Sequence, residues 1–527
     1  MRERYLVAVL LCAAQALVLA AARPACAEDR SAPPGATSTE ASPLAASKAP
    51  PVSPTDEVVA MIRLKLADPD LRKDAHADDL AALEAFYGNR SSGPLWMTEM
   101  GFSVKGQQAL FEIEKADDWS LDKAAFDLPP SGDLPAGPED QAVAEIRLDL
   151  AILKYARFAR GGRSDPSALS GKVYQTPPVR DPKLVLTEIE TAEAPDAYLQ
   201  SLHPKHEQFV RLRQAMLDAR DSDDDAGKPG GDAIDVKRII VNMERWRWMP
   251  EDLGRIYVWS NTPEFMLYVV KDGKTIYADK TQVGTIGYAT PVFSADMTTI
   301  VFNPEWIAPP TVLRESVLPA LRKKNYAILK KHAFSVSYQG NPVDPAKVDW
   351  GRVNILDYTF TQKPGSHNNV GKVKFLLPNK HAFVLHDTWP ARRKYYQRSM
   401  RAIGHDCVRM EKPDKFAQVL LAEGNGWPAS KVKELWDDSV NSPVKLDDEI
   451  PIHLTYFTAV ADETGKVVTY SDIYGLDRKL ATALFGDAKG FPMPAPEVKR
   501  PRAASKRADR SAGSSDVTRS LQGFTGN

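Results

Sequence analysis

His386 and Cys407, 21 residues apart, are the residues of this chain whose types and spacing could do nucleophilic chemistry. A thiol of pKa near ~8.5 is only a few per cent thiolate at neutral pH, and an imidazole that takes its proton turns it into an acyl acceptor. The run Ala382-Phe383-Val384-Leu385-His386 reads as a strand ending at the histidine, which gives the ring a rigid mount. Its second ring nitrogen needs an orienting acceptor, and Asp387 offers its carbonyl or its side chain. Gly404-His405-Asp406 is turn-like, so backbone N–H groups before the thiol could converge on a developing oxyanion. Arg409, two residues past Cys407, would face the same side of an extended chain and could hold a substrate carboxylate. His405 reads either as a site-shaping hydrogen-bond donor or as a packing residue. His386, His405 and Cys407 are zinc-ligand types, yet they lack the paired spacing of zinc sites, so no metal is expected.

The thiol draws attention because cysteine is scarce. Of three cysteines in 527 residues, Cys12 and Cys26 fall in an N-terminal stretch that reads Met-Arg-Glu-Arg, then an apolar run from Tyr5 to Ala22, then Ala25-Cys26-Ala27. That is the pattern of a secretory signal peptide over residues 1–27. The alternative is an uncleaved anchor, since a membrane span needs only ~17–25 apolar residues. Cleavage would leave Cys407 alone, unable to form an internal disulfide, in a compartment where an unused thiol is a liability. The plain alternative is a buried thiol packing as a small apolar side chain. No later segment approaches a membrane span.

Several elements must position these residues. Residues 28–55 are a Pro/Ala/Ser-rich linker, and 56–220 carry helical apolar spacing, as at Val58, Met61, Ile62, Leu66 and at Ile146, Leu150, Leu153. Residues 221–235, DSDDDAGKPGGDAID, read as a second linker. From 236 to 484 short β-type runs take over: Arg255–Trp259, Met266–Val270 with Asp272-Gly273 as a hairpin turn, Thr275–Tyr277, and Val373–Leu377 paired with Ala382–His386. A helical insertion is expected over Val312 to Lys331, within about 303–350, and 485–527 read as a basic disordered tail. His453 alternates on a strand and reads as structural. The fold class is therefore α+β: a helical N-terminal scaffold domain, then a mostly antiparallel β catalytic domain. The 40 prolines predict extended linkers and turns. With 68 Lys+Arg against 69 Asp+Glu the net charge is -1, so no field draws the chain to nucleic acid.

The segment from His386 to Arg409 resembles the L,D-transpeptidase (YkuD-type) signature: a histidine, about twenty residues, then Ser/Thr-His-Gly-Cys-hydrophobic-Asn/Arg, matched at His386, His405, Cys407, Val408 and Arg409. Flanking runs resemble the large YcbB-like periplasmic branch: NMERWRWMP (Asn242 to Pro250), Thr290 to Phe293, FNPEWIAPP (Phe302 to Pro310), QKPGSHNNVGKVKFLLPN (Gln362 to Asn379) and DIYGLD (Asp472 to Asp477). Two residues depart from the pattern. Gly404 replaces a Ser or Thr, and Asp406 replaces a Gly, placing a carboxylate that should raise the thiol pKa unless Arg401, Arg409 or His405 offsets it. Relatives often carry a small peptidoglycan-binding module before the catalytic domain, and residues 218–236 leave no room for one.

The resemblance implies that Cys407 attacks a donor tetrapeptide stem of peptidoglycan at meso-diaminopimelate and expels D-alanine. The amine of an acceptor stem, or of a wall-attached protein, would then resolve the thioester into a 3→3 cross-link. Water or a D-amino acid as acceptor would give carboxypeptidase or exchange activity. No cofactor is needed, and carbapenems should acylate the thiol. The same resemblance places Trp306 in the cap over the cleft, Asn368, Asn369 and Gly371 near the site, Arg401 and Arg409 among substrate contacts, and the protein in the periplasm. A sortase-like enzyme would need a wider His-to-Cys interval, and an NlpC-type hydrolase the reverse order. A catalytically impaired wall-binding scaffold is the remaining alternative, with Gly404 and Asp406 as marks of decay.

Overall fold

Asp272 and Gly273 carry φ of 49° and 74°, the left-handed pair that a two-residue hairpin turn requires. Around that turn the computed structural model builds a closed sheet. It describes residues 54–73, 75–129, 137–224, 236–381 and 383–493. The expected signal segment, nearly all of the first linker, most of the second and most of the basic tail lie outside the described residues. The strands are β1 (Ile256–Asn261), β2 (Met266–Lys271), β3 (Lys274–Gly284), β4 (Phe293–Phe302), β5 (Val373–Leu376), β6 (Leu385–His386), β7 (Ala402–Gly404), β8 (Val408–Met410) and β9 (Ser442–Thr455). They run in the order β7-β3-β8-β6-β5-β4-β9-β1-β2, and β2 pairs back onto β3, so the sheet from β3 round to β2 has no open edge.

The fold is α+β, and the sheet is mostly antiparallel. Three pairs are parallel: β6 with β8, β7 with β3 and β9 with β1. Inward residues such as Val258, Leu267, Ile300, Phe375, Leu385, Val408 and Ile452 fill the interior, and the helix Pro413–Asn425 covers it with Phe416, Leu420 and Leu421. Each such side chain contributes roughly 1.5–3 kcal/mol by leaving water.

Between β4 and β5 a lid forms its own small body. Its four-stranded sheet orders Trp306–Ile307, Tyr358–Gln362, Phe334–Tyr338 and Asn341–Pro342, so the insertion continues past residue 350. Leu313, Val317, Leu321, Trp350 and Phe360 form its core. Leu313–Val317 is a π-helical turn just before Pro319. Proline lacks the N–H of an ordinary helical turn and crowds the carbonyl four residues back, and widening that turn relieves both faults.

The helical half packs around Pro138–Gly161, whose Ala142, Ile146, Ile152 and Tyr155 are fully buried. Prolines here do more than make linkers. At Asp68-Pro69, Asp165-Pro166 and Asp181-Pro182 the aspartate accepts a backbone N–H while proline occupies the first helical position, where no N–H is needed. The described residues form one compact unit. The helix Val236–Trp246 joins its halves: Phe209, Leu212 and Met216 pack with Ile239, Met243, Trp246 and Phe457. No described helix is long and apolar enough to cross a membrane.

Candidate active site

β6 is only two residues long, yet it lies between β5 and β8, so its histidine is fixed on both sides. His386 is 4 % exposed, and its Nδ1 lies 2.6 Å from the Asp387 carbonyl oxygen. A carbonyl can only accept, so Nδ1 carries the hydrogen and Nε2 is left as a lone-pair base. Burial first, and then the Arg409 charge, push the imidazole down to about 3, so it is neutral at physiological pH. The Asp387 carboxylate is held from elsewhere, by Lys372 N (2.9 Å), Thr388 N (2.5 Å) and Arg393 Nη2 (2.8 Å). Gly371, at φ +68°, gives that carboxylate room: a Cβ there would sit 2.5 Å from Asp387 Oδ2.

Cys407 directly precedes β8. In the parallel register Leu385 pairs with Val408 and His386 with Arg409. Leu385 and Val408 are sealed in the core, so alternation turns His386, Arg409 and Cys407 to the opposite face of neighbouring strands. The thiol and the imidazole are thus diagonal neighbours on one face, and Cys407 keeps partial solvent exposure. Among the described residues no hydrogen bond joins them. The thiol is pushed up to about 11, chiefly by burial and then by Asp406; a backbone hydrogen bond at Val384, Arg409 and Lys172 pull the other way.

The offset to Asp406 thus includes Lys172, a residue of the helical half, whose Nζ stands 3.4 Å from the carboxylate. Lys172 sits on a segment that adds to the barrel like an extra strand: Val292 N donates to Lys172 O, and Tyr174 N to Val292 O, both at 2.8 Å. Arg401 has another occupation. Its Nε, Nη1 and Nη2 donate to the carbonyls of Thr281 (3.0 Å), Arg398 (2.8 Å) and Phe265 (2.9 Å), so it ties strands together rather than facing the carboxylate. His405 lies against Tyr288, ring centroids 4.2 Å apart, and burial and Arg409 lower its pKa. Tyr288 in turn donates to Glu315 of the lid at 2.5 Å.

Gly404 is shaped by Arg409. A Cβ at position 404 would lie 2.2 Å from Arg409 Nη1, a nitrogen that is buried and has no hydrogen-bond partner among the described residues. The missing side chain is the space the guanidinium occupies. Asn368 is buried within the loop joining lid to barrel, donating to Pro304 O (2.7 Å) and accepting from Val370 N (3.0 Å), while Asn369 N donates to Gln362 Oε1 (2.7 Å). Trp306 stacks on Phe334 inside the lid. His453 is buried between Ser294 Oγ (2.9 Å) and Leu253 O (3.0 Å), a structural setting.

Sequence reasoning missed Lys172, Thr290 and Tyr474. Thr290 Oγ1 donates to the Asp406 carbonyl (2.8 Å) and accepts from Gly284 N (2.9 Å), while Tyr474 OH donates to Gly284 O (2.7 Å). Thr290 and Tyr474 lie inside the quoted runs Thr290–Phe293 and Asp472–Asp477, which was a signal, but only the fold gives them a role. Lys172 carried no signal at all, being one lysine among 68 basic residues.

With this geometry in view, two family profiles match: a scaffold domain at residues 81–216 and the L,D-transpeptidase catalytic domain, YkuD, at residues 255–445. A protein of Haemophilus influenzae, provisionally named an L,D-transpeptidase, is 34% identical over 251 residues, covering 47% of this chain and 50% of that protein. The chain thus spans about half the length of the curated relative it matches. The second profile spans the barrel from β1 to the first residues of β9 and contains His386 and Cys407. Residues 255–445 thus carry an L,D-transpeptidase catalytic domain of YkuD type, preceded by a scaffold domain at residues 81–216.

Proposed function

We propose that the protein is an exported, periplasmic transpeptidase that joins peptidoglycan stem peptides through a thioester on Cys407. The observation that supports this reading is the β6–β8 register, which pairs His386 with Arg409 and so brings Cys407, diagonal to it, and a neutral imidazole whose Nδ1 donates to Asp387 O to one side of neighbouring strands. In the forward step Cys407 gives its proton to His386 Nε2, and sulfur attacks the diaminopimelate carbonyl of the donor stem. The C–N bond then breaks, and D-alanine leaves with the proton returned by His386. In the second step the acceptor amine loses a proton to His386 and attacks the thioester; the C–S bond breaks, and the thiol is restored. Arg409, whose Nη1 has no hydrogen-bond partner among the described residues, suits a donor carboxylate. Backbone N–H groups at 404–406 suit the oxyanion, with His405 shaping that turn against Tyr288. Trp306, within the lid, and the 368–371 loop that joins lid to barrel are the proposed edge of the substrate cleft.

A raised thiol pKa and the absence of a Cys407–His386 hydrogen bond among the described residues favour one competing reading, a catalytically impaired wall-binding protein. Incubation with a disaccharide tetrapeptide separates the two. The enzyme reading expects D-alanine release, a thioester adduct on Cys407, and loss of both in Cys407→Ala, with His386→Ala slower by at least ~10²-fold. Equal behaviour of wild type and Cys407→Ala would sink it. Product analysis by mass then tells a 3→3 cross-link from simple hydrolysis or exchange.

A further inference from the structure

The strand pairing that sets His386 opposite Arg409 also sets it opposite a third ionisable side chain. Lys374 of β5 faces His386 of β6, and His386 faces Arg409 of β8, so the three form one row across the sheet. Val373 and Phe375, on either side of Lys374, are sealed in the barrel core, and alternation turns Lys374 to the face that carries His386, Arg409 and Cys407. Neighbouring strands stand ~4.8 Å apart, so the imidazole has a cationic side chain mounted on each flank, within reach of one substrate.

The other basic groups nearby are engaged. Lys372, two residues before Lys374, donates to the Trp436 carbonyl (2.9 Å) and lies over the Trp436 ring. Arg393 donates to the Glu411 carbonyl (2.9 Å) and to Asp387 (2.8 Å). Lys374 is half-buried, yet its ammonium has no hydrogen bond or ion pair among the described residues. Burial holds that ammonium below the usual lysine range, opposed by the charge of Glu305, an exposed residue where the chain leaves β4 for the lid. A cation that has lost water without gaining a partner is stabilised by an anion that arrives beside it.

The chemistry of the second step says which anion. The side-chain amine of diaminopimelate shares its carbon with a carboxylate, whereas water has none. We propose that Lys374 binds the carboxylate of the acceptor and so brings the acceptor amine to His386 from the β5 side, while Arg409 serves the donor from the β8 side. In that step the amine nitrogen bonds to the thioester carbon and its proton passes to His386 Nε2; the C–S bond breaks, and the proton goes on to sulfur. Lys374 transfers no proton. It selects amines that carry a neighbouring carboxylate over bare amines and over water. The assignment rests on the transpeptidase reading and adds to it the place of the acceptor.

The test uses the whole chain, a disaccharide tetrapeptide as donor and two tripeptide acceptors, one ending in diaminopimelate and the other in lysine, which offers the amine without the carboxylate. Cross-linked product, measured by mass, gives kcat/KM for each acceptor. Wild type should favour diaminopimelate by at least about 10-fold, the worth of one charge-assisted hydrogen bond. Lys374→Met should erase most of that preference, and Lys374→Arg, which keeps the charge, should restore it in part. Lys374→Gln carries the same test if Lys374→Met does not fold. A structural role alone would slow both acceptors alike and leave their ratio standing, which would overturn the assignment. So would a wild type that uses the two equally, or a thioester resolved only by water. A wild type that forms no thioester on Cys407 fails at the earlier step, and overturns the transpeptidase reading together with this one.

Discussion

At the scale of single residues, the site sets a thiol whose ionisation is opposed beside a base that is kept neutral. Burial disfavours the thiolate, the Asp406 carboxylate disfavours it further, and Lys172 and Arg409 work against both. The thiolate fraction therefore grows as pH rises toward about 11, so alkylation of Cys407 by iodoacetamide should still be accelerating between pH 8 and 10. Removing a negative neighbour eases ionisation, so Asp406→Asn should move that profile to lower pH. An unmoved profile would mean that Asp406 does not reach the sulfur. Lys172→Glu should move it upward and slow turnover by up to about 5-fold, an effect that shrinks in high salt because the pair is partly exposed. The sequence made His386, Cys407 and the troublesome Asp406 legible, because their chemistry is a property of residue type and spacing. The counter-charge from Lys172 was not legible, since 234 residues separate it from Asp406 along the chain.

At the scale of elements, His386 and Cys407 owe their positions to strands too short to hold themselves. β6 and β8 are two and three residues long, and pairing with β5 and β3 on either side is what keeps them in register. The β3 end is equally exacting. A Cβ on Gly284 would lie 1.8 Å from the Tyr288 carbonyl oxygen, which is backbone and cannot step aside. Gly284→Ala should therefore cost at least ~2 kcal/mol in a denaturant melt and misplace the 404–407 turn, whose Gly404 carbonyl accepts from Thr285 N. The lid meets the barrel's Tyr288 through a hydrogen bond to Glu315, within its π-helical turn. Tyr288→Phe should speed hydrogen exchange across Leu313–Lys331 several-fold while barrel amides stay protected; equal protection would show that the lid is held by its packing alone. Hairpins and the lid helices were readable from Asp-Gly and from helical spacing. The parallel pairs were not, because strand direction depends on which distant segment arrives beside which.

At the scale of the whole molecule, two of the runs that carried the family resemblance turn out to anchor the joining helix Val236–Trp246 to the segments that follow the barrel. Asn242 exchanges hydrogen bonds with Thr458 at 3.0 and 2.8 Å, and Arg245 pairs with Asp477 at 2.6 Å, both side chains almost fully buried. Removing the cation would strand a buried carboxylate, so Arg245→Met should destabilise the chain by about 3–5 kcal/mol. Because Phe209, Met216, Trp246 and Phe457 share one core across the two halves, thermal unfolding should be a single transition in which scaffold and barrel probes coincide. Two separated transitions would show that the halves fold independently. By itself the sequence singled out a candidate nucleophile and base, the α+β class and the resemblance to L,D-transpeptidases, since these follow from side-chain chemistry and from periodicities that act over a few residues. Only the tertiary structure decided that Arg401 ties strands together, that Gly404 makes room for Arg409, and that a lysine from the scaffold faces the carboxylate beside Cys407. Those outcomes depend on which surfaces meet when the closed sheet and the helices bury their apolar faces together, and that meeting is set by packing of segments far apart in the chain.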